Sequence, residues 1–153
     1  MCKGDKMFKN IIKFIICLLP WFLSSLICND YSFFSEINTP SFTIPRFLFG
    51  IVWPILYILI AISIYMVSNN ITKEYKKDLG YNYLFNQLYP ITFFCFKSTF
   101  LGFVTCLITL LTSLFLYYET KEINKNASKF LIPYTLFLIY ATILSASIYF
   151  INL

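Results

Sequence analysis

A chain of 153 residues that is 59% hydrophobic, 21% aromatic and only 12% charged, with mean hydropathy +0.72, cannot dress a water-soluble surface. Its apolar residues come in blocks too long for core helices, so an integral membrane protein forming one domain over residues 1–153 is expected. The net charge of +5 comes from basic residues that flank the apolar blocks, no nucleic-acid partner is expected, and the lack of any histidine removes the commonest haem and metal ligand.

The first span is expected over about residues 7–28, entered by Lys3, Lys6, Lys9 and Lys13. A basic start before an apolar stretch also describes a signal peptide, but no small-residue cleavage site follows, and Ile27 before Cys28 spoils a lipoprotein box. A retained helix is therefore expected, with Lys9 and Lys13 snorkelling to the headgroups, Pro20 kinking it and Ser24–Ser25 admitting a close neighbour.

Asn29 to Arg46 is the longest loop, punctuated by Pro40 and Pro45 and carrying the aromatic cluster Tyr31, Phe33, Phe34 and Phe42. The second span, 47–67, has about 20 apolar residues without a charge, enough to cross a hydrocarbon core. Trp53 and Tyr57 are four apart and share a face. That face reads either as an interfacial aromatic belt or as the mouth of a ligand site below the loop.

Ser68 to Gly80 reads as a charged connector. The third span, 81–96, is the most polar, with Asn82, Asn86, Tyr89 and Phe93 on one stripe and Pro90 as a kink. Polar side chains in a span turn away from lipid, so the stripe is either interhelical glue or a ligand-facing wall. Lys97–Ser98–Thr99 makes a tight turn into the fourth span, 100–118, and Glu119 to Ser128 is a second charged connector. The fifth span, 129–152, tolerates Pro133 in its first turns and places Phe137, Ala141, Leu144 and Ser145 together, Ala141 and Ser145 fitting small-residue packing.

The five cysteines (Cys2, Cys17, Cys28, Cys95, Cys106) have no paired spacing and mostly sit in apolar runs, so they read as packing residues, with neither a disulfide framework nor a metal site. Ten of the 12 basic residues fall in the N-terminal segment, the two charged connectors and, at Lys129, the start of the fifth span, leaving Arg46 and Lys97 on the other side. The positive-inside bias puts the N-terminus in the cytoplasm and, after five crossings, the C-terminus outside.

The string P-S-F-x-x-P-x-F-x-x-G-x-V-W-x-x-L-Y at Pro40–Tyr57 resembles the signature loop and second helix of the translocator protein (TspO/MBR) family, the tryptophan-rich sensory proteins of bacteria and the peripheral benzodiazepine receptors of mitochondria. That family usually has Trp at Phe42 and Phe47 and Pro at Ile44 and Ile51. Its third-helix pattern Q-x-x-x-N-x-x-W-x-x-x-F-F is met here by Asn82, Asn86, Tyr89, Phe93 and Phe94. Its fifth-helix pattern P-Y-x-x-W-x-x-F-A-T-x-L-N is met by Leu131–Ser145, with Phe137 for Trp and Ser145 for Asn. The fourth helix matches least, with Thr105 where the family often has Asp. An excess of Ile, Phe, Tyr, Asn and Lys suggests AT-biased coding, a neutral reason for losing Trp.

The resemblance covers about Trp21 to Asn152 and implies an all-α, five-transmembrane-helix bundle in the bacterial inner membrane. It implies a receptor or sensor for a flat hydrophobic ligand, a porphyrin such as protoporphyrin IX, held without covalent attachment in a pocket under the first loop. Phe42, Arg46, Phe47, Gly50, Trp53, Tyr57, Asn86, Tyr89, Phe137, Ala141 and Leu144 would form that pocket, with Arg46 meeting a propionate. No catalytic or metal-binding residue is expected. A small tetrapyrrole transporter and a light-dependent porphyrin-degrading protein are the alternatives, and membrane lipid and a homodimer are the implied partners. The family's mammalian sterol consensus needs a basic residue after a Tyr, and Tyr149 has none behind it.

Overall fold

Within a bilayer each backbone N–H and C=O must be paired inside the chain, and this sequence meets that demand with helices alone. The computed structural model describes residues 3–23 and 32–153, and among these there is no strand. Helix α1 covers Lys3–Leu18 and passes into a 3-10 turn at Leu19–Phe22. A short helical turn, α2 (Phe33–Glu36), interrupts the long loop before α3 (Arg46–Val67). Then come α4 (Lys73–Pro90) with a π-helical turn at Ile91–Cys95, α5 (Thr99–Ile123), the short α6 (Lys125–Lys129) and α7 (Ile132–Ile151).

Local chemistry explains these boundaries. Pro45 precedes the first turn of α3, where its missing N–H costs no bond. The Thr72 side chain accepts from the Tyr75 N–H, and Ser98 accepts from the Leu101 N–H, each capping the helix that follows. Asn124 accepts from the N–H groups of both Asn126 and Ala127. Lys97 turns the chain between α4 and α5 with a left-handed φ of 49°.

Several expected boundaries move. The α-helix of the first span ends at Leu18 because Pro20 diverts it into a 3-10 turn, and residues 24–28, with Ser24–Ser25, lie outside the described residues. The expected connector Ser68–Gly80 is mostly helix, since the Thr72 cap and Glu74 in the first turn start α4 at Lys73. Helix α5 outruns its expected end and reaches Ile123. Among the described residues three helical runs are long and apolar enough to cross a membrane: Arg46–Val67, Thr99–Ile123 and Lys125–Ile151. The apolar stretch Asn10–Phe22 is shorter.

The α5 helix packs along both α4 and α7, while α3 leans on α1 and α6. Lipid offers no hydrophobic drive between helices, so these seams rely on small residues and hydrogen bonds. Gly102, Thr105, Thr109, Ser113 and Thr120 belong to the buried face of α5, with Cys106 and Leu116. Thr105 Oγ1 lies 3.0 Å from Thr92 Oγ1, which gives α5 a polar contact with the π-helical turn. Helices α3 and α7 touch each other little. The space between them is the candidate site.

Candidate functional site: an aromatic cavity between helices α3, α4 and α7

The gap forms a cavity of about 610 Å³. Along α3 its wall is Arg46, Phe47, Phe49, Gly50, Trp53, Pro54 and Tyr57, residues brought to one side by the helical repeat. Opposite stand Asn86, Tyr89 and Pro90 of α4, followed by Phe94 of the π-helical turn. Leu138, Ala141, Leu144 and Ile148 of α7 supply an aliphatic wall, and Cys106 and Thr109 of α5 add to the lining. Phe22 and Phe34 close the remaining sides.

The aromatic rings brace one another. Trp53 lies 5.6 Å from Tyr57, and Tyr57 lies 5.8 Å from the buried Trp21. Tyr89 stacks on Phe93 at 5.7 Å with 11° between planes, and Phe93 meets Phe33 of the loop at 5.5 Å. Such pairs add about 0.5–1.5 kcal/mol each beyond area burial. The π-helical turn after Pro90 leaves Phe93 buried and Phe94 on the cavity wall.

One polar chain runs from the cavity floor into the bundle. Tyr57 Oη donates to Asn86 Oδ1 (3.2 Å), Asn86 Nδ2 to Tyr134 Oη (3.2 Å), and Tyr134 Oη to Asn82 Oδ1 (3.0 Å). Asn82 Nδ2 completes it by donating to the Thr109 carbonyl and to Thr112 Oγ1. The stripe expected on the third span is thus at once glue and cavity wall: Asn82 is glue, Asn86 both. At the mouth Arg46 is the one charged lining residue among the described residues. Its guanidinium donates to Ser35 Oγ and lies 5.1 Å from the centroid of the Phe34 ring, a cation–π arrangement.

The loop before α3 is clasped to α7 at two points. Asn152 reads both sides of the Asn38 backbone, its Oδ1 accepting from the N–H at 2.9 Å and its Nδ2 donating to the carbonyl at 2.8 Å. Further along, Tyr140 Oη accepts from the Ile44 N–H and donates to the Phe42 carbonyl.

Of the eleven residues expected at a site, Arg46, Phe47, Gly50, Trp53, Tyr57, Asn86, Tyr89, Ala141 and Leu144 line this cavity. Two do not. Phe42 is 47% exposed on the loop, where only its carbonyl is used. Phe137 stands behind Trp53, meeting it edge-on at 5.4 Å, and buttresses rather than lines. The helical spacing from Ala141 could have found Leu138 and Ile148; nothing local marks Phe22 or Phe34. The cysteines also need correction: Cys17 and Cys106 are free, but Cys95 is disulfide-bonded. It sits exposed at the end of the π-helical turn.

Comparison with known proteins agrees with this architecture. The profile of the TspO/MBR family matches residues 13–151. The chain is 33% identical over 147 residues to a tryptophan-rich protein TspO of Bacillus cereus, covering 94% of this chain and 96% of that one. It is 30% identical to the uncharacterized membrane protein YtaB of Bacillus subtilis (81% and 83% covered) and 29% to a TspO of Archaeoglobus fulgidus (79% and 80%). A family match over nearly the whole chain, joined to apolar helices of spanning length, makes this an integral membrane protein that belongs to the TspO/MBR family.

Proposed function

We propose that this protein is a membrane receptor or sensor that binds a flat hydrophobic ligand of the porphyrin type, protoporphyrin IX being the test case, in the cavity between α3, α4 and α7. The cavity itself carries the reading. Its volume falls within the range of about 300–1,000 Å³ usual for small-molecule sites, and its wall is aromatic and aliphatic with a few placed polar groups. Trp53, Tyr57, Tyr89 and Phe94 offer faces for a flat ring system, and Arg46 at the mouth suits a ligand carboxylate. With no histidine in the chain, π-contacts with a metal-free tetrapyrrole fit better than ligation of haem iron.

In this reading α1 and α4 also cross, giving five spans in a bacterial inner membrane with the N-terminus cytoplasmic and the C-terminus outside. The bond from Lys13 Nζ to Asn69 Oδ1 supports a common end for the N-terminal segment and the first connector, and the Asn38–Asn152 pair a common end for the long loop and the C-terminus. Titrating purified protein with protoporphyrin IX should give a saturable absorption shift with quenching of Trp53 fluorescence. A titration no different from that of empty detergent micelles would overturn the proposal.

A further inference from the structure

Four of the six prolines, Pro20, Pro40, Pro45 and Pro133, sit in loops or first turns, and two, Pro54 and Pro90, lie inside helices. Both of these line the cavity. Proline has no N–H, so the carbonyl four residues earlier loses its α-helical donor. The two carbonyls concerned belong to Gly50 and Asn86, which line the same cavity, each on the face it shares with its proline. At Gly50 there is no side chain to screen the carbonyl, and a Cβ built there would meet nothing within 4 Å.

Carbonyls released by proline at membrane depth are normally re-satisfied by Ser or Thr hydroxyls, neighbouring helices or water. Among the described residues no side chain donates to either one. The nearby hydroxyls are engaged elsewhere, Tyr89 with Ser145 and Thr109 with the Thr105 carbonyl. The otherwise apolar cavity therefore has two helix carbonyls on opposing walls, each short of its usual donor.

We propose that the Gly50 and Asn86 carbonyls are the hydrogen-bond acceptors of this site, and that they select flat apolar ligands bearing N–H donors on the ring system. The proposal rests on the binding-cavity reading above and specifies the ligand chemistry that reading leaves open. Pro54 stands one turn beyond Gly50 where the other three residues of that turn (Ile51, Val52 and Trp53) keep their N–H groups, so a single substitution can return the missing donor.

The test uses the full chain in detergent with carbazole carboxylic acid, its N-methyl derivative and a ring C-methyl isomer that matches the added bulk. A hydrogen bond to a carbonyl short of its donor should make the N–H and C-methyl compounds bind about 3- to 10-fold more tightly than the N-methyl compound. In Pro54→Ala, which gives an N–H back to the Gly50 carbonyl, the ratio of N–H to N-methyl affinity should fall towards one, whatever the variant does to overall affinity. Pro90→Ala is the second variant, with thermal melting to show that each protein is folded. Equal binding of all three compounds to the unmodified protein would overturn the proposal alone, as would a preference unchanged in both folded variants. If none of the three binds while protoporphyrin IX does, this proposal falls and the binding-cavity reading stands; if protoporphyrin IX does not bind either, both fall.

Discussion

Tyr134 Oη accepts the Asn86 amide hydrogen at 3.2 Å and donates its own to Asn82 at 3.0 Å, so one hydroxyl fixes the orientation of two carboxamides a helical turn apart. All three side chains are buried, and Asn86 is also cavity wall. Interhelical hydrogen bonds in membranes are worth about 0.6 kcal/mol on average and up to about 1.7. Tyr134→Phe removes two of them and leaves both amides short of a partner, so it should cost about 1–3 kcal/mol. Thermal melting in detergent measures this, and combining it with Asn82→Ala should give less than the sum of the two losses.

The two glycines that matter respond oppositely to the same methyl group. At Gly102 an added Cβ would stand 2.5 Å from Phe93 Cδ2, so Gly102→Ala must displace the ring that closes the π-helical turn. An overpacking cost of about 1–3 kcal/mol is expected. Gly50→Ala meets open space, and alanine favours the helix by about 0.5–1 kcal/mol, so its melting temperature should hold or rise.

Two substitutions distinguish a ligand cavity from ordinary packing. Trp53→Phe keeps a ring of related shape and should cost no more than about 1.5 kcal/mol of stability. Its protoporphyrin IX affinity should nevertheless fall by about 0.5–1.5 kcal/mol, the scale of one aromatic pair. Ala141→Phe drives a phenyl ring into the cavity and should yield a folded protein that no longer binds. Unchanged affinity in a stable Ala141→Phe protein would place the ligand elsewhere.

The loop clasp should be visible in hydrogen exchange. Asn152→Ala removes both bonds to the Asn38 backbone, and Tyr140→Phe removes those to Ile44 and Phe42. Each bond contributes about 0.5–1.5 kcal/mol, and they hold a loop rather than the bundle. Faster exchange at the Asn38 amide in the first variant and at the Ile44 amide in the second is expected, with little change in global melting. Unchanged exchange at both amides would show that side-chain packing, not these bonds, holds the loop.

What the sequence alone determined is what a helix decides locally. Side chains three and four apart share a face whatever surrounds them, so the faces Trp53–Tyr57, Asn82–Asn86–Tyr89 and Ala141–Leu144 were legible before any packing was known, and all but Asn82 line one cavity. Composition likewise fixes the solvent, because so few charges cannot cover a soluble fold. Charge misleads at residues 68–80, where a charged run suggests a connector although the Thr72 cap starts α4 at Lys73.

The tertiary structure decided every contact whose partners are distant in the chain. Tyr134 satisfies Asn82 across 52 positions, Asn152 holds Asn38 across 114, and Phe33 reaches Phe93 from the loop. Periodicity within one helix carries no record of which neighbour will face it. That is why Phe137, on the expected face of the fifth span, proved to stand behind Trp53, while Phe34, with no helical register to announce it, closes the cavity beside Arg46.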